Sequence, residues 1–152
     1  MVADGGRISK AARAFAERAA AGLLELQACD ACGVICWPPR DLCPSCWSDD
    51  LRWRKVAGDG ALLSSTVIRS SLDPYFRAAA PWTIGTVRLD AGPVVTAHLA
   101  SGLADGARVR LIARRDRFGY GVLIALRPEA ADLEDEPKLR ALVAAQSTRE
   151  EP

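Results

Sequence analysis

Histidine is nearly absent from this 152-residue sequence: His98 stands alone among 20 Lys or Arg and 19 Asp or Glu, with a formal charge of +1. Without a second histidine, a glycine-rich phosphate loop or any spacing that singles out a carboxylate pair, an independent catalytic centre is hard to assemble, and no catalytic residue is assigned. Aromatics are few, at four Trp, two Tyr and three Phe. Much of the 49% hydrophobic share is alanine, so Val, Leu and Ile must fill a modest core. No stretch approaches the ~18 consecutive apolar residues of a membrane span. The first seven residues carry charge with no apolar block after them. We therefore expect a soluble, cytoplasmic protein with no membrane partner: either one domain, or a small domain with a metal-stapled appendage.

Cysteine is present but confined: all five fall between positions 29 and 46, a poor distribution for disulfides meant to tie down a whole fold. Cys29-x2-Cys32 and Cys43-x2-Cys46 form two thiolate pairs ten residues apart. A two-residue spacer lets both sulfurs of a turn face one ion, and two such turns supply the four ligands of tetrahedral Zn²⁺. Four thiolates leave no open position for water, so the expected zinc is structural; iron is compatible with the ligands, but nothing nearby suggests electron transfer. Gly33 and Pro44 suit the turns. Cys36 lies outside the pairing and reads as a small buried side chain.

Ahead of the cysteines, Ile8–Gln27 has helical composition, with Ser9 as N-cap and a thin stripe of Ala12, Phe15, Ala19, Leu23 and Leu26. That stripe suits packing on its own domain or on another subunit. Pro38, Pro39 and Pro44 exclude helix from 29–47. Beyond it, six segments of strand character (51–56, 61–69, 82–89, 93–100, 107–113 and 121–127) are separated by turns and suggest a small barrel. Strand 107–114 alternates Ala107, Val109, Leu111 and Ala113 with Arg108, Arg110 and Arg114. An acidic run, 129–136, leads into a candidate short helix at 138–146 and a disordered end, 147–152. The expected division is an N-terminal helix over 1–28, a zinc ribbon over 29–50, a barrel over 51–128 and an acidic tail over 129–152.

Leu26–Gly33, Trp37–Cys46, Leu51-Arg52-Trp53, the Gly58-Asp59-Gly60 turn with its following strand, and Pro81–Gly92 occur in an order that resembles a known family. Its members join a rubredoxin-like zinc ribbon to an OB-fold and accompany thiolase-type acyl-CoA enzymes. The likeness spans about residues 8–127. Two features depart from it: Trp47 stands where many members have Gly after the fourth cysteine, and strand 121–127 lacks a frequent closing Phe. The resemblance implies a mainly β fold with an N-terminal helix, a four-cysteine zinc ribbon and a small OB-fold barrel. It also implies a non-catalytic partner of a thiolase, a sterol-carrier-type aldolase or an acyltransferase, in lipid or steroid metabolism. The assembly it implies is a heterotetramer with two of each chain and acyl-CoA at the shared interface.

Within that frame Trp37, Pro38, Pro39 and Arg40 on the ribbon, and Tyr75 and Phe76 in a Pro-bounded loop, have the composition of interface anchors, whereas Trp53 and Trp82 read as local packing. Residues 107–127 carry six arginines against Asp116 alone. Arg114, Arg115 and Arg117 among them suit coenzyme A phosphates or an acidic partner surface. The same arginines on a barrel raise an alternative, single-stranded nucleic-acid binding. Overall neutrality and scarce aromatics count against it, as does an acidic 129–136 run able to cover the patch.

Overall fold

The computed structural model describes residues 8–143. Helix α1 spans Lys10–Ala20, and the Ser9 side chain caps it by accepting from the Ala12 N–H at 3.1 Å. It stops well short of the expected Gln27. Gly22 takes φ +75°, its N–H bonds the Ala19 carbonyl, and the Leu23 N–H reaches back to the Arg18 carbonyl. This six-to-one closure through a left-handed residue terminates helices, and here a glycine supplies it without steric cost. Leu26 is still buried, as the stripe required, but from a strand.

Strands β1 (Glu25–Cys29), β2 (Ile35–Cys36) and β3 (Leu51–Lys55) form an antiparallel sheet in the order β2-β1-β3. β3 was expected to open the barrel. It instead pairs along β1, with Gln27 opposite Trp53 and Cys29 opposite Leu51, and completes the ribbon. The barrel uses five strands: β4 (Asp59–Ile68), β5 (Trp82–Leu89), β6 (Val94–Leu99), β7 (Arg108–Arg115) and β8 (Gly121–Leu126). They close in the order β4-β5-β6-β8-β7, and β7 returns to Asp59–Ala61 of β4. The β6–β8 contact is parallel, and a bulge at Leu63 shifts the β4 register. The fold is mainly β, with one closed five-stranded barrel of OB type, as the resemblance implied.

Inside the barrel Leu62, Val87, Val95, Val109, Leu111, Leu123 and Ala125 pack together, and Phe15 of α1 joins them. The alternation expected on β7 holds: Val109, Leu111 and Ala113 point inward. Helix α1 therefore docks on its own domain. Its close approach is permitted by Gly121, where an added Cβ would lie 2.5 Å from the Phe15 ring.

A second apolar cluster lies outside the barrel wall, where Trp82, Ile112, Ile124 and Leu126 are covered by Leu133, Leu139 and Leu142. Residues 129–143 of the expected acidic tail therefore pack on the barrel. They strap the outer face, ending in helix α3 (Pro137–Leu142). The remainder of the expected helix and the disordered end fall outside the described residues. The loop expected around Tyr75 holds a short helix, α2 (Pro74–Ala79), begun by Pro74 and by Asp73, whose carboxylate accepts from the Tyr75 and Phe76 N–H groups. No helix of the described residues is long and apolar enough to cross a membrane.

Candidate metal centre and contact surfaces

Cys29 ends β1, and the chain turns at once: the Gly33 N–H bonds the Cys29 carbonyl at 2.7 Å, with Gly33 at φ +79°. The second turn repeats the device. The Trp47 N–H bonds the Cys43 carbonyl at 3.0 Å, with Trp47 at φ +66°. Trp47 occupies the place that glycine fills in the first turn, and its side chain is 77% exposed.

The two turns face each other. All four sulfurs of Cys29, Cys32, Cys43 and Cys46 lie within 4.8 Å of one another, and the Cys29–Cys46 and Cys32–Cys43 separations are each 3.6 Å. Zn–S bonds of ~2.3 Å in a tetrahedron place sulfurs roughly 3.8 Å apart, so the donor set fits one such ion. Burial opposes ionisation of Cys43, yet the amides of Cys46 and Ser45 point at its sulfur and bring its pKa down to about 6. At Cys46 the Ser48 amide acts likewise, but burial and the neighbouring Cys29, Cys32 and Cys43 sulfurs prevail and raise its pKa to about 12. Cys36 is buried beside this cluster and outside the four; burial, then Cys43, pushes its thiol up to about 11.

Trp37, Pro38, Pro39 and Arg40 follow on the ribbon. Trp37 sets its ring edge on Phe15 at 5.0 Å between centroids, so much of its surface is spent on the core. Pro38 and Arg40 are exposed and Pro39 half-buried. Gln27 holds this loop in place: its side-chain amide donates to the Arg40 carbonyl and accepts from the Arg40 N–H, both at 2.8 Å. Sequence reasoning missed Gln27, whose only signal was a polar residue between the apolar Leu26 and Ala28. Trp53 stacks on Phe15 and lies under the Arg18 guanidinium at 4.5 Å, local packing as expected.

Tyr75, Phe76 and Arg117 come together where α2 meets the β7–β8 turn, joined by Phe118. The Tyr75 ring meets Phe118 edge-on at 5.6 Å, and the Arg117 guanidinium lies 4.7 Å above Tyr75. Trp82 is buried beneath them and donates its indole N–H to His98 Nδ1 at 2.8 Å, while Phe76 stacks on the His98 ring. Burial lowers the His98 pKa against a smaller opposing pull from Asp116, so the ring is a neutral acceptor within the packing.

The other arginines of the basic run are mostly engaged. Arg108 pairs with Asp90, Arg110 donates to the Ala130 and Ala131 carbonyls, Arg114 pairs with Asp132 at 3.2 Å, and Arg127 donates to the Ser101 carbonyl. The segment after β8 thus engages Arg110 and Arg114, and Asp90 and Ser101 engage two more arginines of the run on which nucleic-acid binding would rely. Tyr75 meets Phe76 and Phe118 edge-on, so these rings do not present parallel faces for successive bases to stack on, although Phe118 and Tyr120 remain partly exposed.

The family described as "ChsH2, rubredoxin-like zinc ribbon domain" matches residues 16–52, and "ChsH2, C-terminal OB-fold domain" matches 53–114. A "DUF35 domain-containing scaffold protein" of Pyrococcus furiosus is 28% identical over 89 residues, 56% of this chain. The match spans 65% of that relative's length. Among solved structures, a chain of the "Ltp2-ChsH2(DUF35) aldolase" superposes with a TM-score of 0.68 at 25% identity, covering 82% of this chain and 99% of that one. With the ribbon and barrel matched in sequence order and the same architecture in the fold, the chain belongs to the ChsH2 family of rubredoxin-like zinc-ribbon and OB-fold proteins.

Proposed function

We propose that this chain is a non-catalytic accessory subunit of a thiolase-like acyl-CoA enzyme, whether thiolase, retro-aldolase or acyltransferase, needed for its assembly and for shaping the path of coenzyme A and the acyl substrate. The observation that carries this reading is the neighbour covered over 99% of its length, which bears a name pairing ChsH2 with Ltp2 as an aldolase. The scaffold description of the archaeal relative supports it. So does the chemistry: the four clustered thiols suit a closed structural site, and the one histidine is engaged with Trp82.

In this reading the metal is zinc, which four thiolates hold tetrahedrally without redox chemistry. The setting is the reducing cytoplasm. The assembly holds two copies of each subunit, and Trp37, Pro38, Pro39, Arg40, Tyr75, Phe76, Arg114, Arg115 and Arg117 face the partner or the coenzyme. Coexpression with a thiolase-like subunit, followed by size-exclusion chromatography with light scattering, tests it. Coelution as a stable complex, with turnover that the isolated chain lacks, is the expected result; separate elution at micromolar concentration, with enzyme activity independent of this chain, refutes it.

A further inference from the structure

We infer that the α2 and β7–β8 end of the barrel is a docking face for a carboxylate-rich, apolar-anchored polypeptide segment of a partner. This deepens the accessory-subunit reading by stating the chemistry of the face it meets, and rests on that reading only for the partner's identity. Two independent features converge there. The first is exposed apolar surface. Phe118 and Tyr120 at the turn between β7 and β8 are exposed, and Leu72, immediately before the α2 cap, is 98% exposed. Tyr75 and Phe118 meet edge-on, which makes a fixed anchor at low conformational cost.

The second is uncompensated charge. Residues 69–79 and 114–118 carry Arg69, Arg77, Arg114, Arg115 and Arg117 against Asp73 and Asp116. Both acids are committed to backbone: Asp73 accepts from the first turn of α2, and Asp116, itself buried, accepts from the Phe118 and Tyr120 N–H groups. Arg114 has Asp132. Among the described residues no carboxylate pairs with Arg77, Arg115 or Arg117, and Arg117 instead lies on the Tyr75 ring. A cation stacked on an aromatic ring keeps its edge donors free, and planar guanidinium donors match carboxylates two at a time. Charge complementarity therefore selects acidic partners and rejects basic ones.

The test uses the intact, metal-loaded chain and a fluorescein-labelled twelve-residue peptide alternating Glu with Leu and Phe. A counterpart with Lys for Glu and an oligo-dT strand complete the set, all read by anisotropy. The Glu peptide should bind, and raising the salt should weaken binding. Arg115→Glu with Arg117→Glu should weaken it at least tenfold, Tyr75→Leu several-fold, and the ribbon control Arg52→Glu not at all, each variant keeping its metal content and thermal midpoint. Absence of binding, equal binding of the Lys peptide, indifference to the double substitution, or tighter binding of oligo-dT would each overturn the proposal. Coelution with a thiolase-like subunit reports separately on the accessory-subunit reading.

Discussion

Gln27 and Arg40 exchange two hydrogen bonds of 2.8 Å across thirteen residues, side chain to backbone, and this pair ties the Trp-Pro-Pro-Arg loop to the central strand of the ribbon. Gln27 is 6% exposed, so its amide is buried and depends on those partners. Gln27→Leu should remove both bonds and leave the Arg40 N–H and carbonyl without their partner, at a cost of about 1–3 kcal/mol. Urea unfolding measures the loss, and proteolysis should shift to the 38–41 loop. An unchanged midpoint would show that the loop holds without this pair.

The four clustered cysteines and the neighbouring Cys36 should respond differently to substitution. Cys43→Ser should abolish stoichiometric zinc, because structural zinc contributes ~10–16 kcal/mol of binding free energy to a small module. Cys36→Ser should keep about one zinc per chain. Metal analysis of the purified variants decides between the two roles, and zinc retained in the first or lost in the second would contradict the assignment. Chelation should loosen the ribbon and, because Leu26, Ile35, Trp37 and Trp53 share one apolar cluster with the barrel interior, lower the thermal midpoint of the whole chain.

Trp47 sits at φ +66° where the opposite turn uses Gly33. A left-handed conformation costs an L-residue roughly 1–2 kcal/mol, so Trp47→Gly should stabilise the ribbon by about 1 kcal/mol. Slower zinc loss to a chelator would register it. If the variant releases zinc faster, the exposed indole is holding the turn by some contact other than its backbone.

His98 ties stability to pH. Burial lowers its pKa in the folded state below the unfolded 6.5, so the unfolded chain binds the extra proton first. Its contribution is complete above about pH 6.5 and is lost as pH falls from there towards the folded-state pKa. Urea midpoints at pH 7.5 and pH 5 should therefore differ more for the native chain than for His98→Gln. Equal pH slopes in the two proteins would remove His98 as the source.

The sequence alone determined whatever depends on short spacing. Two cysteine pairs separated by two-residue spacers bring four sulfurs together because each turn closes on itself, and the alternation of β7 orients its side chains because strand periodicity is local. The Ser9 cap is equally local. Decisions resting on which distant segment offers a better partner were invisible there. Gly22 could have marked the helix end, yet the apolar stripe ran on through Leu26, and only pairing with β2 and β3 shows that Leu26 belongs to a strand. β3 has strand character like the barrel segments, and its choice of β1 is a matter of long-range register. The fate of the arginines was the least legible. Whether a guanidinium meets a carboxylate, a carbonyl or an aromatic ring depends on where distant segments lie: for Arg110 and Arg114 on how residues 129–143 cross the barrel wall, a path set by burial of Leu133, Leu139 and Leu142, and for Arg117 on where α2 places Tyr75.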